Sequence, residues 1–220
     1  MNRYSVHPDD PSGFVLISDA VPDALLEIRY FSTYNFVGER IDGYEEPVAL
    51  MTREAAQALQ AVSLDLKAQG LRLKVYDAYR PQAAVAHFVR WSMTSDISMQ
   101  GAFYPGLNKE EIFSRGFIAR RSSHTRGSTV DLTLLEDATG RELDMGGVFD
   151  HFGDRSHYDY PNLTERQRAN RALLRTAMTA RGFVPISGEW WHFTLKGEPY
   201  PDTYFTFPVS SRTLSEQSTD

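Results

Sequence analysis

The chain has no cysteine among its 220 residues. That absence removes thiol nucleophiles, cysteine-held zinc and iron–sulfur clusters, so any metal has to be bound by imidazole and carboxylate. Basic side chains are in the minority, 23 Lys and Arg against 29 Asp and Glu, for a net charge of −6, and they form no run. Recognition of a phosphate backbone needs clustered positive charge, which excludes nucleic acid as the main partner. Long apolar runs are missing too. Nothing approaches the roughly 18 to 20 residues of a membrane span. The opening stretch MNRYSVHPDDPSGFVLISD lacks the apolar centre of a signal peptide, which gives the expectation of a cytoplasmic protein. There is no repeat, no low-complexity tract and no linker. With 41% hydrophobic residues, the expectation is one globular domain over residues 1–208 and a frayed polar tail over 209–220. Composition fixes no oligomeric state.

Periodicity supplies the elements. Leu59, Val62 and Leu66 share a helical face, Glu54 lies in the first turn, Lys67 in the last and Gly70 beyond it, which predicts a helix over residues 52–69. Alternation of Leu71, Leu73 and Val75 with Arg72, Lys74 and Tyr76 predicts a strand over 71–79, with Arg80 at its end. Pro81 suits the start of a second helix through Val85, Phe88 and Val89. A short helix is expected from Asn108, with Glu111 three residues on. The longest helix is expected from Thr164, where Thr164 and Gln167 form a capping box; Leu173, Leu174, Ala177 and Met178 are its apolar stripe and Gly182 closes it. Strands are expected over 130–134 and 191–195. Helices and strands interleaved without a regular βαβ repeat predict an α+β fold, helices packed on a mainly antiparallel sheet.

The chemistry is concentrated in Ser122-Ser123-His124-Thr125-Arg126-Gly127-Ser128-Thr129-Val130-Asp131 and in Glu189-Trp190-Trp191-His192. Two histidines and a carboxylate match a catalytic zinc site, which takes three protein ligands and keeps a fourth position for water, so His124, Asp131 and His192 are the expected ligands. Gly127 lets the chain return tightly between the first two. Glu189 is then free to act as the base that takes a proton from water and passes it to the leaving amine. Residues three apart oppose each other on a regular strand, so a turn or bulge is expected around residues 188–190 to bring Glu189 round to His192. Arg80 would stabilise negative charge on the former carbonyl oxygen.

Blander readings compete with each of these. His7, His87, His151 and His157 read mainly as structural, Arg80 could simply pair with Asp77, and Glu-Trp-Trp-His alone describes a core strand equally well. Two histidines and a carboxylate also describe non-haem iron oxygenases, although the seven-residue step from His124 to Asp131 and the spare Glu189 speak against that class. A metal-stabilised binding module would have no use for Glu189 or Arg80, and a structural site would fill its fourth position with protein.

Taken together and in order, YDAYRP from Tyr76, SSHTRGSTVDLTL from Ser122 and EWWHFT from Glu189 resemble the zinc D-alanyl-D-alanine dipeptidases of the VanX type. Further similarity lies in IRYFSTYNFVG from Ile28, LDMGGVFDHFGDRSH from Leu143 and EPYPDTYFTFP from Glu198, so the resemblance spans residues 28–208 and is least obvious over 91–117. It implies an α+β metallopeptidase fold shared with D,D-carboxypeptidases. One zinc ion (Zn2+) would sit on His124, Asp131 and His192, with Glu189 as base and Arg80 on the transition state. It further implies that Asp150 meets the substrate ammonium, with Tyr30 beside it, and that Ser122 lies near the substrate carboxylate. The substrate so implied is the small dipeptide D-Ala-D-Ala, hydrolysed in cell-wall precursor metabolism, as in vancomycin resistance or wall recycling. Preference for D-residues rests on the resemblance alone. The runner-up is a D,D-carboxypeptidase acting on peptidoglycan stem peptides, which would need an open groove; Asp150 favours the free dipeptide. Asp150 could otherwise cap a helix or pair with Arg155.

Overall fold

The computed structural model describes residues 6–118 and 120–215. In chain order the elements are β1 (Phe14–Leu16), α1 (Ile17–Ala20), β2 (Leu25–Leu26), β3 (Leu50–Thr52), α2 (Arg53–Lys67), β4 (Leu71–Asp77), α3 (Gln82–Ser92), α4 (Gln100–Phe103), α5 (Lys109–Ser114), β5 (Thr129–Glu136), α6 (Glu165–Ala180), β6 (Phe183–Pro185), β7 (His192–Leu195) and α7 (Arg212–Ser215). Five strands form one sheet in the order β2-β4-β5-β7-β6, antiparallel except for the β2–β4 edge, while β1 and β3 pair separately. This is the expected α+β arrangement on a mainly antiparallel sheet.

The long elements form where their patterns predict. Leu59, Val62 and Leu66 on α2 are fully buried against β4, and the chain leaves α2 through Gly70 at φ +73°. Asn108 with Glu111 and Thr164 with Gln167 both form complete capping boxes, so α5 and α6 each start at the side chain that satisfies their first free amides. On β4 and β5, Leu73, Val75, Leu132 and Leu134 are completely buried on one face. The other face is polar at its far end, where Lys74 reaches Glu27 and Glu142 at 2.6 and 2.9 Å, and aromatic nearer its middle, where Tyr76 stacks on Phe149 at 4.7 Å.

Two boundaries differ from the expectation. The strand predicted to reach Tyr79 ends at Asp77, because the β4–β5 register slips between Val75 and Asp77 and the chain turns away to Pro81, which caps α3. Arg80 therefore lies past the strand, on that turn. The tail expected from Val209 is not frayed at its start: Val209 is 1% exposed and bridges to Tyr44, Ser210 donates to Glu46, and α7 follows. An apolar residue with a backbone partner stays with the core whatever the polarity of its neighbours. Residues 216–220 of that expected tail, like 1–5 of the N-terminal stretch, lie outside the described residues.

Candidate active site

Strand register assembles the site. Asp131 on β5 lies opposite Asp77 on β4 and opposite His192 on β7, so the slip on β4 sets Asp77, Asp131 and His192 in one row across three strands. His124 reaches the same spot from a 3-10 turn, Ser123–Arg126, which ends at Gly127 with φ +83°. A side chain there would also strike the Phe14 ring, whose atoms lie 2.3 Å from where a Cβ would stand. The turn expected near Glu189 is present as well: the His192 amide donates to the Glu189 carbonyl at 3.3 Å, and His192 Nδ1 comes within 3.4 Å of Glu189 Oε2.

The donor atoms fit a metal. His124 Nδ1 donates to the Ala78 carbonyl at 2.7 Å, which can only accept, so the free lone pair is on Nε2. That Nε2 lies 3.2 Å from Asp131 Oδ2 and 3.3 Å from His192 Nδ1, and His192 Nδ1 lies 3.1 Å from Asp131 Oδ1. Asp131 Oδ1 is buried yet completes no hydrogen bond. Three facing donor atoms, all within 4.8 Å of one another, could hold a cation. Tetrahedral ligands at about 2.0 to 2.1 Å from an ion are themselves about 3.3 Å apart, which matches these separations. His192 Nε2, on the other side of its ring, faces Ser123 Oγ at 3.3 Å.

Arg80 is clamped beside this cradle. Its Nε and one terminal nitrogen reach Asp77 Oδ2 at 2.9 and 2.8 Å, its guanidinium lies over the Tyr30 ring at 4.9 Å, and Asp131 Oδ2 is 3.7 Å away. Tyr44 donates to the other Asp77 oxygen at 2.6 Å. Burial opposes the charge on Arg80, but Tyr30, Asp77 and other neighbours more than offset it and keep the guanidinium protonated. Burial drives the Asp131 carboxyl up, whereas His124 and His192 overcome this and hold it below the usual carboxylate range. Glu189 is pushed up to about 7 by burial, which suits a group that both takes and returns a proton near neutrality. Tyr30 donates to Asp150 Oδ2 at 2.8 Å, and burial raises the Asp150 carboxyl well above its ordinary value.

All of the sequence-predicted site residues line one cavity of about 250 Å³: His124, Asp131, His192, Glu189, Arg80, Asp150, Tyr30 and Ser122. The four remaining histidines do not line it. His87 instead sits between Glu39 and Asp42, at 3.0 and 3.2 Å. Asp150 neither caps a helix nor pairs with Arg155; it is 6% exposed and holds φ +60°. Sequence reasoning passed over Asp77 as a mere partner of Arg80 and missed Arg171, which is 1% exposed and donates to the carbonyls of Met145, Arg155 and His157, pinning both ends of the loop that carries Asp150. Arg171 lies on a helix face whose pattern is otherwise ordinary, and only a buried arginine among apolar neighbours could have signalled it.

The peptidase family described as D-ala-D-ala dipeptidase matches residues 10–210. A D-alanyl-D-alanine dipeptidase of Streptomyces coelicolor is 39% identical over 198 residues, covering 90% of this chain and 98% of the relative. One from Enterococcus faecalis is 37% identical over 90% of this chain and 99% of the relative, and one from Escherichia coli 35% identical over 87% and 90%. With a family match over nearly the whole chain and relatives aligned almost end to end, the chain belongs to the D-alanyl-D-alanine dipeptidase family.

Proposed function

We propose that the chain is a zinc-dependent dipeptidase that hydrolyses D-Ala-D-Ala to two molecules of D-alanine. The observation that carries this is the coexistence, in one small cavity, of the His124–Asp131–His192 cradle with Glu189 and of a buried acid, Asp150, held by Tyr30. The acid matches the free ammonium of a dipeptide, a group that an N-acylated stem peptide lacks. A cavity of about 250 Å³ is also smaller than the roughly 300 to 1,000 Å³ of pockets for drug-sized ligands, which suits a dipeptide better than a peptidoglycan stem.

When bound by His124, Asp131 and His192, the zinc ion supplies a Lewis acid for the scissile carbonyl and acidifies water. Glu189 takes a proton from the attacking water, and Arg80, fixed by Asp77, offsets the negative charge that develops on the carbonyl oxygen. The carbon–nitrogen bond then breaks, and the proton held by Glu189 passes to the departing amine. Asp150 and Tyr30 anchor the other amine, so the peptide bond is presented in one direction only. Loss of the dipeptide withdraws a precursor from cell-wall assembly, the setting we assign to the reaction.

The test is D-alanine release by zinc-loaded protein from D-Ala-D-Ala, L-Ala-L-Ala and an N-acylated D-Ala-D-Ala stem peptide. Release from the free D,D-dipeptide alone is expected, with Glu189→Gln retaining zinc and losing turnover by at least about 10²-fold. Release from the acylated stem would move the protein to the carboxypeptidases.

A further inference from the structure

The dipeptide carries a carboxylate as well as an ammonium, and the reading above leaves that charge without a cationic partner. The permanently charged cations that line the cavity are Arg80 and Arg121. Arg80 is committed to Asp77 and lies between Tyr30 and Asp131. The hydroxyls nearby carry no charge and already have neighbours: Ser122 Oγ accepts the His124 amide as a turn cap, and Ser123 Oγ faces His192.

Arg121 shares with Arg80 a tyrosine ring beneath its guanidinium but differs from it in exposure and in ion pairing. It is exposed, and it makes no ion pair among the described residues. Its guanidinium lies 4.6 Å from the centre of the Tyr204 ring. That ring has Arg126 on it too, at 5.9 Å, and Arg126 Nε is tied to both oxygens of Glu198 at 2.9 Å. Two sequence segments thus meet here. Arg126 comes from the SSHTRG stretch that supplies His124, and Glu198 and Tyr204 come from the EPYPDTY stretch, for which the catalytic reading has no use. Stacking on a supported ring limits the freedom of an otherwise mobile arginine and leaves the guanidinium edge, with its paired donors, open to a planar anion.

We infer that Arg121, positioned on Tyr204, is the residue that recognises the substrate's terminal carboxylate, and that it restricts the enzyme to peptides whose second residue ends in a free acid. This rests on the dipeptidase reading. Ser122, next to Arg121 in the chain, adds a neutral hydroxyl to the same subsite. Tyr204 does not touch the substrate; it sets the plane and reach of the guanidinium.

The experiment compares kcat/KM of the zinc-loaded enzyme for D-Ala-D-Ala and for its C-terminal amide, in wild type, Arg121→Gln, Arg121→Lys and Tyr204→Ala. The readout is the ratio of the two values, acid over amide. Wild type is expected to prefer the acid, and Arg121→Gln to lower that ratio about tenfold through KM, as expected for one charge-assisted pair at a partly exposed site. Arg121→Lys should restore part of the ratio, and Tyr204→Ala should lower it less than Arg121→Gln does. An acid-over-amide ratio in Arg121→Gln equal to that of wild type, with wild type active, overturns the assignment of Arg121 alone. Failure of wild-type enzyme to hydrolyse either peptide overturns the dipeptidase reading and this assignment with it.

Discussion

Asp150 has a conformation and an environment that stability alone would select against. It is a non-glycine residue at φ +60°, it is nearly buried, and burial pushes its carboxyl well above the ordinary range. Aspartate and asparagine are the side chains that tolerate this backbone region best, so the chain could have used the neutral one. A raised folded-state pKa means that the carboxyl is harder to ionise in the native protein than in the unfolded chain. Its contribution is fully favourable below about pH 4, the unfolded value, and is lost as pH rises from there through the folded pKa. Asp150→Asn cannot ionise and should escape that loss. The expected outcome is a melting temperature above wild type, by more at pH 8 than at pH 5, at roughly 2–4 °C for each kcal/mol recovered in a chain of this size. The same substitution should raise KM for D-Ala-D-Ala at least about tenfold, because the substrate ammonium loses its counter-charge. Thermal melts and initial rates check the two halves together. A lower melting temperature at both pH values would make the carboxylate structural, and an unshifted KM would remove it from amine recognition.

At the scale of the element, the site depends on how three strands and one turn are held in register. Gly127 is the narrowest point of that arrangement, since a Cβ there meets both a left-handed backbone and the Phe14 ring. Gly127→Ala should therefore cost about 2–4 kcal/mol, part from the positive φ and part from overpacking, and it should weaken metal binding by displacing His124. Urea unfolding with zinc titration tests this, and a loss under about 1 kcal/mol would mean that the turn relaxes without strain. How far such elements are legible from sequence depends on their length. Helices α2 and α6 carry repeated apolar spacings and end signals, so their pattern is strong, and the ten-residue stretch from Ser122 to Asp131 announces its own turn through Gly127. Strands β1, β2, β3 and β6 span two or three residues each, too few for a period to show, and exist because the sheet edge and the β1–β3 pair offer them partners. The register slip before Asp77 and the left-handed backbone at Asp150 leave no trace in residue spacing. They are fixed by packing against β5 and by the loop that Arg171 holds. His124, Asp131, His192 and Glu189 stand out as candidates in the sequence because metal chemistry restricts residue types, and the fold brings them to one cavity, whereas an arginine such as Arg121 is ordinary until the fold sets it on Tyr204 in the wall of the cavity.

Across the whole molecule, the candidate metal cradle joins parts of the chain that are far apart in sequence: a turn at His124, the central strand at Asp131 and the start of β7 at His192. The unfolded chain cannot hold these three together, so an ion that binds them stabilises only the native state. The charge distribution points the same way. Asp77, Asp131 and Asp150 are buried around one arginine, Arg80, with Glu189 close by, and burial makes Asp77 and Asp150 harder to ionise than free carboxyls. A divalent cation relieves this excess of acid in the centre of a chain that already carries a net charge of −6. Removing zinc with a chelator should therefore lower the melting temperature of the wild-type protein. At a free zinc concentration a thousandfold above Kd the linkage amounts to about 4 kcal/mol, or on the order of 10 °C in a chain of this length. His192→Ala should melt near the chelated wild type and respond little to added zinc. The decisive comparison is between these two proteins with and without metal. A His192→Ala variant stabilised by zinc as strongly as wild type would show that the ion is held elsewhere, whereas a chelator-insensitive wild type with intact activity would show that hydrolysis proceeds without the cradle.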